Sequence, residues 1–530
     1  MSPSPPPNEQ FVLAVDLGTG GPKVGLVSLT GAIAWHDHIP VTTRHLPHGG
    51  AVQDADEWWD AIVDATRRAL ASGVVDPTRI VAVSCTGQYA STVPVDGAGV
   101  PVGDCLLWMD SRGRPQAKQR FGGPISGYDP RALFTWVRRT GGAPSTTGAD
   151  PLGHRLYLAA EEPEVLKRAR WLMEPVDQLS MRFTGVASAT PASMVAAWLT
   201  DNRNLGHVGY DPDLVARAGI DERQLPPLVA TGSVVGVVLP EVVAALGFPA
   251  GAHLDVVSGT PDLHTAALGS GAVLDHQAHV ALSTSSWVSC PVPFKKTDVI
   301  RQIASIPGLT PNGYLVIDNH EVGGLSLQWF RDNVVAPADA LLPGSDTPVS
   351  FDDLTALAAT AEPGSGNVIF TPWLNGERSP IDDRRARGGF HNLSLATDRA
   401  ALARSLLEGV AYNTRWLHEA VERFVKERLD PVRIIGGGAT SDLWCQIHAD
   451  VMDRVIERPA EPMHANLRGA ALFAGISLGR VRLDEVPSLV GVEQRFRPDP
   501  ANRAVYDRLF AEFPGLYTSQ KKMFHRLNRS

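Results

Sequence analysis

Two short segments of this chain combine a carboxylate with the backbone freedom that phosphate chemistry needs. The first is Asp16-Leu-Gly-Thr-Gly-Gly-Pro-Lys23. A tight glycine turn lets backbone N–H groups approach a polyphosphate closely. Asp16, at the end of a strand, could hold a magnesium ion through water, because Mg2+ keeps much of its hydration shell. Gly18 belongs to the turn, and Thr19 and Lys23 could donate to phosphate. The same residues also fit a glycine-rich hairpin in which Asp16 makes a turn hydrogen bond. The second segment is Thr260-Pro261-Asp262, after the strand Asp255–Gly259. Thr260 fits a helix N-cap with Pro261 at the first helical position. Asp262 would then sit in the first turn, where the helix dipole favours its anion. A carboxylate there could also take the proton from a hydroxyl as that hydroxyl attacks a γ-phosphate. Such a transfer needs mainly positioning and charge neutralisation, so one carboxylate, Mg2+ and backbone donors suffice.

Two further turns have related chemistry. Leu282-Ser-Thr-Ser-Ser286 offers hydroxyls and amides, with Thr284 and Ser285 at its tip. Ile435-Gly-Gly-Gly-Ala439 places Gly436, Gly437 and Gly438 between a strand and a helix. A flat adenine ring could lie against such backbone, and the turn opens a helix N-terminus that Ser441 or Asp442 would cap. Close strand-to-helix packing explains the same glycines. For a hydroxylated acceptor the candidates are Gln88-Tyr89-Ala90-Ser91 and Trp108-Met-Asp110-Ser-Arg112. Trp108 offers an apolar wall, and Asp110 could accept from sugar hydroxyls. Trp373-Leu-Asn-Gly-Glu-Arg-Ser-Pro380 reads as structural, an ion pair among turn residues.

The elements that must position these residues alternate in type. Phe11–Asp16 and Lys23–Leu29 read as buried strands, Ala32–Val41 as a third, and Arg79–Gly87 as a fourth after an intervening helix. Asp54 fits the N-cap of that helix, with Glu57 completing a capping box. Ala278–Val292 again reads strand, turn, strand, and Arg433–Met452 reads strand, glycine turn, helix. The second half thus echoes the first, and two related halves would enclose a cleft, a preferred ligand site. Two unrelated α/β domains would give the same pattern. A boundary is expected near Gly269–Asp275, and a peripheral loop with at most one short helix over Pro337–Gly366.

Composition narrows the function classes. The chain has 530 residues, 44% hydrophobic and 20% charged, as expected of a globular protein of two or three domains. Its 48 basic and 57 acidic residues give a net charge of −9, which argues against a general nucleic-acid binder. No stretch of ~18 apolar residues lacks charge or proline, so no membrane partner is expected. Met1–Glu9 is proline-rich and reads as a disordered tail rather than a signal peptide. The four cysteines are widely spaced, which fits a reducing cytoplasmic setting.

Taken together, the segments from about Phe11 to about Gly479 resemble the FGGY carbohydrate kinases. DLGTGGPKV resembles the first phosphate loop, TGQYASTVPVD and LLWMDSRG the sugar-side segments, and SGTPD the catalytic-base segment. LSTSS resembles the second phosphate loop; VGGLSLQWFRD, LNGERSP, LARSLLEGVAYN, GGGATSDLWCQIHAD and LRGAALFAGISLG resemble the C-terminal domain. The chain is most similar to the xylulose kinase branch. The resemblance implies an α/β fold of two actin/hexokinase-like (RNase H-like) ATPase domains around a cleft. Residues 10–271 would form the sugar-binding domain and 272–530 the adenosine-binding domain, after the tail at 1–9. It implies ATP and Mg2+ as cofactors, a small-molecule sugar as partner, a homodimer, and Asp262 as general base. It further implies Asp16 near the metal, Gly18, Thr19 and Lys23 near phosphate, Thr284 and Ser285 on the second loop, and Gly436–Ala439 at the adenosine. Gln88, Tyr89, Ala90, Trp108, Asp110 and Asp262 would meet the sugar.

Departures concentrate on the acceptor side. The family usually has Met and His where Tyr89 and Ala90 stand, Asn at Leu263 and at Met109, and Asp near Thr190. Ser283 and Ser286 replace glycines, and Asn392 replaces another. A pentulose is the expected acceptor class, with another ketose, a deoxysugar or a polyol as the alternatives. A non-catalytic sugar or nucleotide sensor, or an ATPase acting on protein partners, are further readings of the same fold.

Overall fold

The computed structural model describes residues 8–125, 127–299, 301–310, 313–337 and 349–528. Most of the expected N-terminal tail, and part of the expected peripheral loop, lie outside these. The rest of that loop holds one α-helix, Phe351–Ala359, started by a Ser350–Asp353 capping box, and runs into a 3-10 turn at Ser365–Asn367.

Two sheets carry the chain's architecture. The first runs in the order Val234–Val237, Asp255–Pro261, Ile80–Gly87, Phe11–Gly18, Gly21–Ser28, Ile33–His38. Its four central strands are buried on both faces, which explains their near-continuous apolar runs. The second has eight strands, five of which run in the order Tyr314–His320, Ser286–Val292, Ala278–Leu282, Val432–Ile435, Ile456–Pro459. In both sheets three strands pair antiparallel and the first of them continues in parallel to two more. The echo read between the halves is therefore an echo of topology.

Two helices join the sheets. Asp262–Ser270 follows the last parallel strand of the first sheet, and Ala465–Ser477 follows that of the second. Leu467, Ala470 and Leu472 of the second helix pack with Val12, Ala14 and Val27 of the first sheet. Ala266 of the first helix packs with Ala281 and Ile435 of the second sheet. The helices also touch each other at backbone distance. A Cβ on Gly269 would lie 1.7 Å from the Ala465 carbonyl oxygen, and one on Gly469 1.9 Å from that of Thr265. Only glycine fits at either crossing point.

Local signals hold with two exceptions. Asp54 caps Ala55–Ala71 by accepting from Asp56 N, but Glu57 accepts from Thr42 N instead of closing a capping box. Thr260 is not an N-cap: the strand extends through Pro261, because Thr260 and Pro261 still pair with Thr86 and Gly87. Pro261 takes the cap position and Asp262 opens the helix. Among the described residues no helix is long and apolar enough to cross a membrane.

Candidate active site

Asp16, Lys23 and Asp262 come together at one end of the first sheet, where the strand Ile80–Gly87 separates the Asp16–Lys23 hairpin from the strand that leads into Asp262. The hairpin Phe11–Ser28 pairs Asp16 with Lys23 directly, and Lys23 Nζ donates to Asp16 Oδ2 at 3.1 Å. The Asp16 charge, against the opposing effect of burial, raises the Lys23 pKa, and Asp262 adds to it. Lys23 is therefore a fixed positive charge. Asp262 is close enough to feel both neighbours. Burial, and then the Asp16 charge, push its carboxyl up to about 7, with the Leu263 backbone and Lys23 opposing. A carboxylate that holds its proton near neutral pH is poised to exchange it. Thr86 and Thr265 share a 2.8 Å hydroxyl contact that ties the helix of Asp262 to the strand Ile80–Gly87.

The segments expected on the acceptor side form one network. Trp108 Nε1 donates to Thr19 Oγ1 at 3.1 Å, and Thr19 Oγ1 donates to Gln88 Oε1 at 3.0 Å. Gln53 Nε2 donates to the Thr19 carbonyl at 2.7 Å, and Gln88 Nε2 to Gln53 Oε1 at 3.3 Å. The Thr19 side chain thus joins the acceptor side, while its neighbour Gly18 pairs with Gly21 at the tip of the hairpin. Tyr89 is half-buried. Burial lifts its phenol to about 12, with Asp262 and Glu174 adding to the effect and Arg378 opposing. Ala90 adopts a left-handed conformation at φ 60°.

Asp110 does not fit the role its position suggests. It is fully buried, and both oxygens are engaged: Oδ1 accepts from Arg112 N and Nε, Oδ2 from Ala51 N and Arg112 Nη2. It anchors the Trp108 loop and holds Arg112, with no lone pair left for a sugar.

The second half contributes two adjoining turns. Thr284 is exposed at the Leu282–Ser286 hairpin, and its carbonyl accepts from Gly323 N and Leu325 N. Gly436 has φ 94°, and a Cβ there would meet the Leu282 carbonyl at 2.6 Å and Ser283 Oγ at 2.7 Å. The parallel pairing of Ala281 with Ile435 is what brings the two turns together. A Cβ on Gly437 would meet nothing within 4 Å, so its face is open. Ala439 is different: it is fully buried in the core, with no surface to offer a ligand. Ser441 caps the following helix through Trp444 N, and Asp442 pairs with Arg458 at 2.7 Å.

The described residues hold no group of three or more His, Cys, Asp or Glu placed to bind a metal. Asp16 and Asp262 are the carboxylates beside the first glycine turn. This donor set fits an ion that takes most of its ligands from phosphate and water, as Mg2+ does.

The N-terminal domain of the FGGY family of carbohydrate kinases matches residues 11–269, and the C-terminal domain matches residues 284–478. The chain belongs to this family. It is a carbohydrate kinase. Among its relatives is a xylulose kinase of Staphylococcus epidermidis, 25% identical over 522 residues that cover 97% of this chain and 98% of the relative. A gluconokinase of Bacillus licheniformis is 24% identical over 517 residues, 96% of this chain and 95% of the relative. The ligand-bound xylulose kinase from Lactobacillus acidophilus has the same fold, with a TM-score of 0.83 at 22% identity, covering 98% of this chain and 100% of that one.

Several residues around the segments expected on the acceptor side of the kinase carry no local sequence signal. Glu174 is buried beneath the Gln88–Ser91 turn and accepts from Ser91 N at 3.1 Å, while its Oε1 has no hydrogen-bond partner. Arg155 is buried with Nε and Nη1 unpartnered, and its Nη2 donates to the Leu172 carbonyl. Arg378, in the segment read as structural, reaches over from the second half. Its guanidinium carbon lies 5.9 Å from the Trp108 ring centroid, and Nε donates to Glu321. His464, also from the second half, lies instead on the side of Asp16 and Lys23, its ring tilted against that of His36 with centroids 3.9 Å apart.

Proposed function

We propose that this kinase transfers the γ-phosphate of ATP to a hydroxyl of a small neutral sugar, a pentulose by preference, with Asp262 as general base. The supporting observation is the position of Asp262. It lies within charge range of Asp16 and Lys23 at the phosphate end and of Tyr89 at the acceptor end. In the step, the acceptor oxygen forms a bond to the γ-phosphorus as the bond to the bridging β–γ oxygen breaks, and ADP leaves. The hydroxyl proton passes to an Asp262 oxygen. Lys23 neutralises phosphate charge, and Asp16 holds Lys23 in place. A Mg2+ ion near Asp16 would neutralise further phosphate charge. Residues 10–271 supply the base, the first phosphate loop and the acceptor contacts; residues 272–530 supply Thr284, Ser285 and the Gly436–Gly438 turn to the nucleotide. Closure between the halves would exclude water from the transfer.

A neutral acceptor is favoured because the carboxylates Asp16 and Asp262 stand near its reacting hydroxyl and Glu174, pushed by burial to hold its proton, is available as a hydrogen-bonding group. A sugar acid is the second reading, supported by Arg155: a carboxylate would satisfy its two unpartnered nitrogens.

Two expected outcomes test the assignment. The value of kcat/KM for the sugar should rise about tenfold per pH unit and level off near pH 7, where Asp262 loses its proton. A flat profile from about pH 5 to about pH 8 would contradict the base. Gly437→Val should raise the KM for ATP by about tenfold, roughly 1.4 kcal/mol, without altering the acceptor KM. The position is open to solvent, so the melting temperature should hold. An effect on the sugar KM alone would contradict the nucleotide reading of this turn.

A further inference from the structure

A cavity of about 420 Å3 is lined by Arg114 from the first half and by Arg384, Arg385, Arg387 and His525 from the second. The chain as a whole is acidic, at −9, so four guanidinium groups around one cavity run against its average. The cavity's one carboxylate, Asp383, is already committed. Its Oδ2 accepts from Tyr517 at 3.0 Å and lies 2.8 Å from His525 Nε2, and its Oδ1 accepts from Arg385 N. Arg384 pairs with Glu321. Arg387 Nη1 donates to the carbonyls of Arg384 and Ala386, which fixes its guanidinium. Among the described residues, Arg114, Arg385 and Arg387 make no ion pair with any carboxylate. The four arginines are exposed, so solvent screens their mutual repulsion, and an anion that enters the space between them is attracted by all four.

We propose that this cavity binds a small phosphorylated anion, at a site separate from both the nucleotide and the acceptor regions. The planar guanidinium fork matches phosphate oxygens two at a time, and the volume falls in the range of small-molecule sites. The occupant would bridge the halves, because Arg114 opens the helix Arg114–Phe121 of one and the other arginines belong to the other. The site is also connected to the acceptor side. Arg384 shares Glu321 with Arg378, and Arg378 lies over Trp108.

The test is a calorimetric titration of inorganic pyrophosphate into the full chain, in chelator and with the nucleotide site saturated by ADP. One further binding site is expected. Its affinity should fall at least tenfold in R385A/R387A and also weaken in R114A. Without pyrophosphate, kcat and the KM for ATP of these variants should match the parent, which shows that they fold. Displacement of pyrophosphate by a pentose phosphate would assign the site to organic phosphates; failure to displace it would assign the site to inorganic ones. No binding, or equal affinity in R385A/R387A, would overturn the proposal.

Discussion

Asp262→Ala should lower kcat for sugar phosphorylation by about 1,000-fold, about 4 kcal/mol of barrier, while ATP affinity changes little. In the proposed mechanism this carboxylate takes the hydroxyl proton, and the nucleotide contacts come from other residues. Asp262→Asn keeps the shape and should lose as much activity. Its stability should move the other way. The Asp262 pKa is raised in the folded protein to about 7, so burial of the ionised form is a cost that grows as pH rises through that value. The amide removes this cost, and the Asn variant should melt no lower than the parent at about pH 8. Near-normal turnover in either variant, measured by ADP release, would refute the base assignment.

Gly469→Val should destabilise the protein by at least about 3 kcal/mol and abolish most activity. The clash involves backbone, which cannot rotate away. The Thr265 carbonyl oxygen would lie 1.9 Å from the new Cβ, so the two helices must part. One of them carries Asp262 at its first residue. Gly437→Val adds the same side chain where nothing lies within 4 Å. It is the control for an effect of size alone. Denaturant unfolding of the two variants should separate them by most of that difference. Equal midpoints would show that the helix pair yields.

These contrasts also mark what the amino-acid sequence makes legible. Strands such as Phe11–Gly18 and turns such as Gly436–Gly438 are local, and apolar runs and glycines announce them. The similarity of the halves is visible in the order of their elements, because each sheet is built from the same succession of antiparallel and parallel pairings. Residues whose role depends on distant partners are hidden. Asp110 looks like a free acceptor until Arg112 and the Ala51 backbone take up its oxygens. Thr260 has the composition of a cap, yet a neighbouring strand keeps it in the sheet. Ala439 follows three glycines and still turns into the core. Gln53, Glu174 and Arg378 reach the acceptor side from separate segments, and nothing in their immediate neighbours marks them. The unusual Tyr89 and Ala90 are easier to understand beside them. Glu174 supports that turn from below, and Arg378 stands over the adjoining Trp108.

The central claim is acceptor-dependent phosphoryl transfer, and a coupled assay of ADP formation tests it most directly. Mg-ATP is supplied with a panel of pentuloses, other ketoses, deoxysugars, polyols and aldonic acids. A strong response to a neutral sugar, lost in Asp262→Ala, is the expected result, with a pentulose as the best acceptor. A response confined to an aldonic acid would keep the kinase and overturn its neutral-sugar preference. ADP formation that no member of the panel accelerates would contradict the account.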